Sequence, residues 1–136
     1  MSKLYSKKSL VEKLGIKNDL SILVVNSPYN YESLIGGITA KIKISKKYEG
    51  KYNFIHFFCD DIVQLKNEFP VLKQFLEYNG VFWVSWPKKS SKINTNLNEN
   101  IIREIGLENG LVDVKVISIN DVWSGLKFVY RMKDRL

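Results

Sequence analysis

The sequence has almost none of the residues that build disulfides and metal sites. Its 136 residues include one cysteine, Cys59, and one histidine, His56. A lone cysteine excludes a disulfide within the chain, and one cysteine with one histidine is too few for a zinc site. The sequence also lacks internal repeats, low-complexity tracts and any motif that would by itself define a catalytic centre.

Arginine and long apolar runs are scarce too. The net charge is +7, yet only three basic residues are arginines, and residues 1–51 contain ten lysines against four acidic residues. Because base recognition and bidentate phosphate binding favour arginine, this pattern favours solvated surface lysines over a nucleic-acid-binding face. No apolar run could cross a bilayer, and the N-terminal residues lack a signal-peptide pattern. We expect one cytoplasmic domain covering residues 1–136, with no membrane contact and with no pattern that defines its oligomeric state.

The chain does contain a regular alternation of strand and helix patterns. The predicted strands are Leu20–Asn26, Ala40–Ser45, Asn53–Cys59, Val81–Trp86, Val112–Ile119 and Gly125–Arg131. The first two predicted helices are Ser6–Leu14 and Asn30–Leu34. A third is predicted from Asp60 or Asp61 to about Tyr78, before a turn at Asn79–Gly80. The fourth begins with the capping-box pattern Asn96-x-x-Glu99, and Gly106 and Gly110 are expected to loosen its end. Apolar central strands and an alternating final pair predict a three-layer α/β/α Rossmann-like domain. Its mixed sheet is expected to be mostly parallel, with a C-terminal antiparallel strand pair.

Several segments resemble a known family. WVSWPKK at residues 83–89 and WSGLKFV at residues 123–129, together with VEKLGIK and LSILVVNSP, resemble a family of short bacterial proteins that is classified as a domain of unknown function. The resemblance covers essentially the whole chain. It implies a shortened form of the S-adenosylmethionine-dependent methyltransferase fold, and it implies no activity, substrate or catalytic residue.

The loops where such a fold binds its cofactor differ from the usual pattern. A cofactor loop is glycine-rich, but here the first strand runs into Asn26-Ser27-Pro28-Tyr29, with no glycine before Gly36. The second strand ends in Ser45-Lys46-Lys47, where an acidic residue would bind a ribose hydroxyl. S-adenosylmethionine is a possible ligand of the fold, but these loops lead us to expect no cofactor.

Polar side chains collect where the predicted parallel strands end. Ligands of open α/β sheets bind beyond these carboxyl ends. The candidate ligand-binding residues are Asn26, Ser27, Tyr29, Asp60, Asp61, Ser85, Trp86, Lys88 and Lys89. They suit a small anionic or phosphorylated molecule, because amines and hydroxyls can donate hydrogen bonds to it. The alternative, which capping preferences favour, is that Asp60 and Asp61 cap a helix and the lysines are merely solvated.

The other chemically distinctive residues favour structural roles. His56 lies in mid-strand among phenylalanines, which favours a buried, hydrogen-bonded histidine over a general base. Cys59 is expected to be a small buried apolar residue. Trp83 and Trp86 point to opposite faces of one strand, so we expect Trp83 in the core and Trp86 or Trp123 beside a site.

The function that these patterns favour is a non-catalytic small-molecule-binding or regulatory module. One alternative is a divergent S-adenosylmethionine-dependent methyltransferase whose cofactor contacts come from side chains. Another is a basic nucleic-acid or protein interaction module that uses the lysine-rich first 51 residues.

Overall fold

A six-stranded mixed sheet forms the centre of the computed structural model, which describes residues 8–37 and 41–135. The strands are β1 (Ser21–Val25), β2 (Lys43–Ser45), β3 (Tyr52–Phe58), β4 (Leu76–Pro87), β5 (Leu111–Ser118) and β6 (Trp123–Tyr130). The helices are α1 (Leu10–Leu14), α2 (Tyr31–Leu34), α3 (Ile62–Lys73) and α4 (Glu99–Glu108), followed by a 3₁₀ turn at Met132–Asp134. No helix in the described ranges is long and apolar enough to span a membrane.

The strand order is β2-β1-β3-β4-β6-β5. The neighbouring strands β2, β1, β3 and β4 pair in parallel. Strand β6 is antiparallel to both β4 and β5. The predicted fold class, a mostly parallel sheet with a C-terminal antiparallel pair, is therefore confirmed. The central strands are mostly apolar, as strands covered by helices on both faces usually are.

Each face of the sheet has its own hydrophobic core. On one face α3 and α4 pack against the sheet around Phe69 and Ile102. On the other face α1 and α2 cover a second core that contains Leu14, Tyr31 and Phe58. Trp83 lies in the second core and Trp86 in the first, so the prediction that they face opposite sides of β4 is confirmed.

Several predicted boundaries are wrong, and most differ by one or two residues. The largest error concerns α3, which ends at Lys73 and not near Tyr78. The chain instead enters β4 at Leu76, which pairs with Tyr52, so Asn79 and Gly80 lie inside a strand and form no turn. A side chain at position 80 would lie 3.0 Å from the Asn53 carbonyl oxygen, and this close approach of two strands explains the glycine.

The N-terminal predictions are shortened. Helix α1 begins at Leu10, and Ser9 caps it in a reciprocal capping box with Glu12, so Ser9 and Lys8 are not helical. Residues 6 and 7 of the predicted first helix lie outside the described residues, as does Ala40 of the predicted second strand. That strand itself begins at Lys43.

The predicted capping box of α4 is also wrong. Asn98 caps the helix, and its Oδ1 accepts a hydrogen bond of 2.9 Å from the Ile101 amide. Asn96 serves a different helix, because its Oδ1 accepts a hydrogen bond of 2.8 Å from the amide of Ile62, the first residue of α3. The end of the segment that leads into α4 is therefore fastened to both helices.

Replacing Asn98 with alanine is expected to lower the free energy of unfolding by about 1 kcal/mol, because the first turn of α4 loses its side-chain acceptor. Urea unfolding measures this loss. Asn98→Asp keeps an acceptor at the same position and should remain close to wild type. If both variants lost the same stability, the capping role would be contradicted.

Candidate functional site

The parallel strands β1, β3 and β4 end at one edge of the sheet, and each is followed by a loop that carries polar residues. The loops begin at Asn26, Cys59 and Lys88. The chain passes from β1 to β2 on one side of β1 and then crosses to β3 on the other side. The order of strands therefore changes direction at the boundary between β1 and β3. This reversal is the topological switch point, where open α/β sheets ordinarily bind ligands.

The β1 loop is tight and self-bonded. Asn26 has a φ of 59°, in the left-handed region. The Ser27 hydroxyl donates to the Tyr29 carbonyl at 2.8 Å and accepts from the Tyr29 amide at 3.2 Å. The cleft beside this loop has a volume of about 130 Å³ and is lined by side chains that include Tyr29, Tyr31 and Lys46. The polar groups of Ser27 are therefore used within the loop.

Beneath that loop, the core at the switch point is filled by a buried hydrogen-bonded network. The Tyr31 hydroxyl lies 2.6 Å from Nδ1 of His56, and Nε2 of His56 lies 2.6 Å from the Ser85 hydroxyl. His56 and Ser85 are fully buried, and Tyr31 is 6% exposed. Burial lowers the pKa of His56 to about 3 and raises the pKa of Tyr31, so both side chains are neutral near pH 7. The structural role expected for His56 agrees with this geometry.

Aromatic rings complete this filling. The Phe58 ring stacks on His56 with centroids 4.3 Å apart, and Trp123 meets Phe58 edge-on at 5.4 Å. Phe58 is 1% exposed and Trp123 is 6% exposed. Trp123 therefore belongs to the core on the α1 and α2 face of the sheet.

The β3 loop carries Asp60 and Asp61 at the start of α3. Asp61 is the N-cap, and its Oδ2 accepts a hydrogen bond of 3.0 Å from the Gln64 amide. This bond, together with a hydrogen bond from the Asn96 side chain, lowers the pKa of the Asp61 carboxyl. The Asp60 carbonyl accepts a hydrogen bond of 2.6 Å from the Thr95 hydroxyl. Asp61 therefore has the capping role, and both residues anchor the segment that follows β4.

The β4 end borders an open cleft of ligand size. We call it the β4–α4 cleft; its volume is about 850 Å³. It is lined by Trp86, Pro87, Lys88, Lys89, Ser91, Lys92, Ile93, Asn94, Thr95, Asn96, Leu97, Asn98, Glu99 and Ser124. Three lysines and one acidic residue make this lining cationic.

Those charges have different surroundings. The Lys88 ammonium donates a hydrogen bond of 2.7 Å to the Ser118 hydroxyl. Lys89 and Lys92 are exposed at the mouth of the cleft. The Glu99 carboxylate is paired with the Arg103 guanidinium, which also binds Asp113 at 2.8 Å. The one acidic charge of the lining is thus partly offset by Arg103, which Glu99 shares with Asp113.

The structure brings three of the nine predicted site residues together in this cleft, namely Trp86, Lys88 and Lys89. Ser27 and Tyr29 line the small β1 cleft instead, and Asn26 lies in the loop beside it. Ser85 is sealed in the core by His56. The nine predicted site residues do not include the wall formed by residues 91–99, although its run of lysine, serine, threonine and asparagine was the available signal. In the described ranges, no group of histidine, cysteine and acidic residues is placed to hold a metal ion.

The architecture is that of a known class of protein. No family model and no curated protein matches the chain. Among solved structures it is similar to a SAM-dependent methyltransferase from Aquifex aeolicus, with a TM-score of 0.62, 14% identity, and coverage of 88% of this chain and 86% of that one. It is also similar to the ribosomal protein L11 methylase of Lactobacillus delbrueckii subsp. bulgaricus, with a TM-score of 0.61, 15% identity, and coverage of 90% and 75%. The chain therefore has the S-adenosylmethionine-dependent methyltransferase fold.

A third similar structure is described with a ligand. It is magnesium protoporphyrin IX methyltransferase from Synechocystis with bound SAH, with a TM-score of 0.55, 13% identity, and coverage of 90% of this chain and 78% of that one. At such identities the similarity shows the fold only. The chemistry of the site has to be argued from this chain's own residues.

The residues at the β1 end do not fit an adenosyl cofactor. Ligand sites ordinarily have volumes of about 300–1,000 Å³, and the cleft here has about 130 Å³. No glycine in the loop allows a close backbone approach, and Lys46 stands at the end of β2 where a ribose-binding acid would be needed. A cofactor of that kind would have to bind elsewhere on the sheet edge.

Proposed function

We propose that this methyltransferase-fold domain binds a small anionic molecule, most simply a phosphorylated one, in the β4–α4 cleft. The observation that carries the proposal is the cationic lining of that cleft. Lys88, Lys89 and Lys92 line a cleft of about 850 Å³ that can hold a ligand of metabolite size. Ammonium groups bind phosphate oxygens through charge-assisted hydrogen bonds.

The surroundings of the lysines strengthen the attraction for an anion. Arg103 pairs with Glu99 and so offsets part of the negative charge that this residue adds to the lining. The N-terminus of α4 also lies at the cleft, where Leu97, Asn98 and Glu99 belong to the lining, and the partial positive charge of a helix N-terminus favours an anion. Trp86 and Ile93 supply apolar surface for the uncharged part of a ligand.

The cleft wall is held in place before any ligand arrives. The Ser91 hydroxyl donates to the Lys88 carbonyl at 2.8 Å, and the Thr95 hydroxyl donates to Asp60 at 2.6 Å. Asn96 ties the same wall to the amide of Ile62. A wall ordered by its own hydrogen bonds reduces the entropy lost on binding, which supports a binding role.

Replacing Lys89 and Lys92 together with alanine is expected to weaken binding of adenosine monophosphate or glucose 6-phosphate by at least about tenfold, because each charge-assisted hydrogen bond contributes more than 1 kcal/mol. Calorimetric titration measures the affinity. Both side chains are exposed, so the melting temperature should hardly change.

The control is the pair Lys43→Ala and Lys133→Ala, which removes the same charge from exposed positions outside the cleft. It should leave the affinity within about twofold of wild type, since distant exposed charges are screened by salt. Equal losses in both double variants would mean that net charge attracts the ligand. No binding by the wild type across a panel of phosphorylated compounds would reject the proposal.

Methyl transfer is the second candidate, and the similar solved structures favour it over a non-catalytic module, because they are described as SAM-dependent methyltransferases or as complexes with SAM or SAH. The closed β1 end means that the methyl donor would have to use the β4–α4 cleft, where Trp86 offers an aromatic surface. Titration of S-adenosylhomocysteine tests this candidate. Binding that is lost in Lys89→Ala with Lys92→Ala would favour it, and absence of binding would remove it.

A further inference from the structure

We infer that the Tyr31–His56–Ser85 network and the rings of Phe58 and Trp123 permanently occupy the topological switch point of this sheet. They take the room in which this architecture ordinarily receives a nucleoside cofactor. The inference concerns a different place from the β4–α4 cleft, so it does not depend on the proposed function. Its consequence is that no nucleoside ligand binds between the ends of β1 and β3.

The first observation is the continuity of the filling. Tyr31 comes from α2, His56 and Phe58 from β3, and Ser85 from β4, so the network spans the elements that would surround a ligand at this point. Trp123 closes the row from β6 against Phe58. All of these side chains are less than 9% exposed.

The second observation is that the polar atoms inside the filling satisfy one another. Both ring nitrogens of His56 are hydrogen-bonded, each at 2.6 Å. A site shaped for an absent ligand would leave buried donors or acceptors aimed at empty space. Here the Tyr31 hydroxyl and the Ser85 hydroxyl meet the imidazole instead, so the interior is complete without a ligand.

The third observation is the loop above the filling. Pro28 has no amide hydrogen, and the Ser27 hydroxyl is bonded to Tyr29. The loop thus directs few donors outward, and the remaining cleft has a volume of about 130 Å³. The buried side chains and the loop lead to the same conclusion. The side chains take the space that a nucleoside would need, and the loop offers few hydrogen-bond donors for it.

Two measurements test the inference. The first compares the wild type with Lys89→Ala plus Lys92→Ala by calorimetric titration with S-adenosylmethionine, S-adenosylhomocysteine and NAD. The expected result is no binding in the lysine variant. Binding that the wild type shows and the variant loses places the ligand in the β4–α4 cleft and leaves the inference standing. Binding that the lysine variant retains and that shifts the imidazole resonances of His56 would overturn the inference. Retained binding that leaves those resonances unchanged places the ligand elsewhere and leaves the inference standing.

The second measurement opens the filled space deliberately. Tyr31→Ala removes a buried ring and should leave a cavity with the His56 imidazole at its end. Phenol should then raise the melting temperature of this variant by several degrees and leave that of the wild type unchanged, because a ligand that binds only the folded state stabilises it. Toluene should be less effective than phenol, since it lacks the hydroxyl that meets His56.

The matched control is Phe69→Ala, which opens a cavity of similar size in the core on the opposite face. That cavity is apolar, so toluene should stabilise the control at least as well as phenol does. If Tyr31→Ala does not fold, Tyr31→Phe keeps the ring and removes only the hydroxyl. It should melt below the wild type, since His56 loses a partner. A Tyr31→Phe protein as stable as the wild type, or a Tyr31→Ala protein indifferent to phenol, would overturn the inference.

Discussion

Replacing Gly106 with alanine is expected to lower the free energy of unfolding by about 2 kcal/mol, although alanine is the better helix former. Gly106 lies in α4, which presses on β6 at Phe128. An added Cβ would lie 2.1 Å from Cε1 of Phe128. The sequence predicted only that Gly106 loosens the helix end; the structure adds that its missing side chain lets the helix approach the sheet.

Two opposing effects determine the size of this change. Alanine in place of glycine favours an α-helix by about 1 kcal/mol. Overpacking a buried position costs about 1–3 kcal/mol, and more where the neighbour cannot move. Phe128 is fully buried and meets Phe69 edge-on with centroids 5.5 Å apart, so its ring has no free space to enter. The packing cost is thus at the upper end, and the balance is destabilising.

Urea unfolding of three further variants separates packing from helix propensity. Glu104→Ala changes an exposed position of the same helix and should stay within about 0.5 kcal/mol of wild type. Phe128→Leu shortens the side chain that the new methyl group would meet. Gly106→Ala and Phe128→Leu combined should therefore cost less than the sum of the two changes. Strictly additive losses would contradict a clash between these positions.

The fold was largely predictable from local patterns, because burial imposes them directly. The apolar stretch around β1 and the alternating residues of β5 and β6 gave the correct strand types and the correct final pair. The start of β4 was missed because it depends on a distant partner: Leu76 belongs to a strand only through its pairing with Tyr52. A helical pattern in the sequence cannot register that pairing.

The candidate site was predictable in part for the same reason. Lys88 and Lys89 follow a buried strand, and the rule for carboxyl ends places them in the cleft. The filling of the switch point was not predicted, because Tyr31 gains its role from His56, which lies 25 residues away in sequence. The two asparagines Asn96 and Asn98 look alike in sequence, and only the packing of α3 beside α4 assigns each its helix.

Lowering the pH from 7 to 5 is expected to reduce the free energy of unfolding by about 2 kcal/mol through His56 alone. Burial lowers the pKa of this imidazole from 6.5 to about 3 in the folded protein. Between these values the unfolded chain binds a proton that the folded chain does not. Stability is therefore full above pH 6.5 and falls as the pH drops toward 3, by up to about 1.4 kcal/mol for each pH unit.

The two carboxyl groups with lowered pKa values do not contribute to the loss of stability between pH 6.5 and pH 5. The pKa values of Glu12 and Asp61 are lowered by hydrogen bonds from Ser9 and Gln64, so the stability that these two groups contribute is lost only below their ordinary pKa values of 4.5 and 3.8. His56 is the only histidine in the sequence. The loss of stability between pH 6.5 and pH 5 is thus assigned to a single side chain.

His56→Gln provides the control, because a glutamine does not titrate in this range. The variant should be less stable than wild type at pH 7, since it disturbs the bonds to Tyr31 and Ser85, yet its stability should not change between pH 7 and pH 5. Urea midpoints at several pH values measure both slopes, and the imidazole resonances of the wild type should stay constant over the same interval. A resonance that titrates near pH 6.5 in the folded protein would show that solvent reaches His56, and the closed switch point would then be wrong as well.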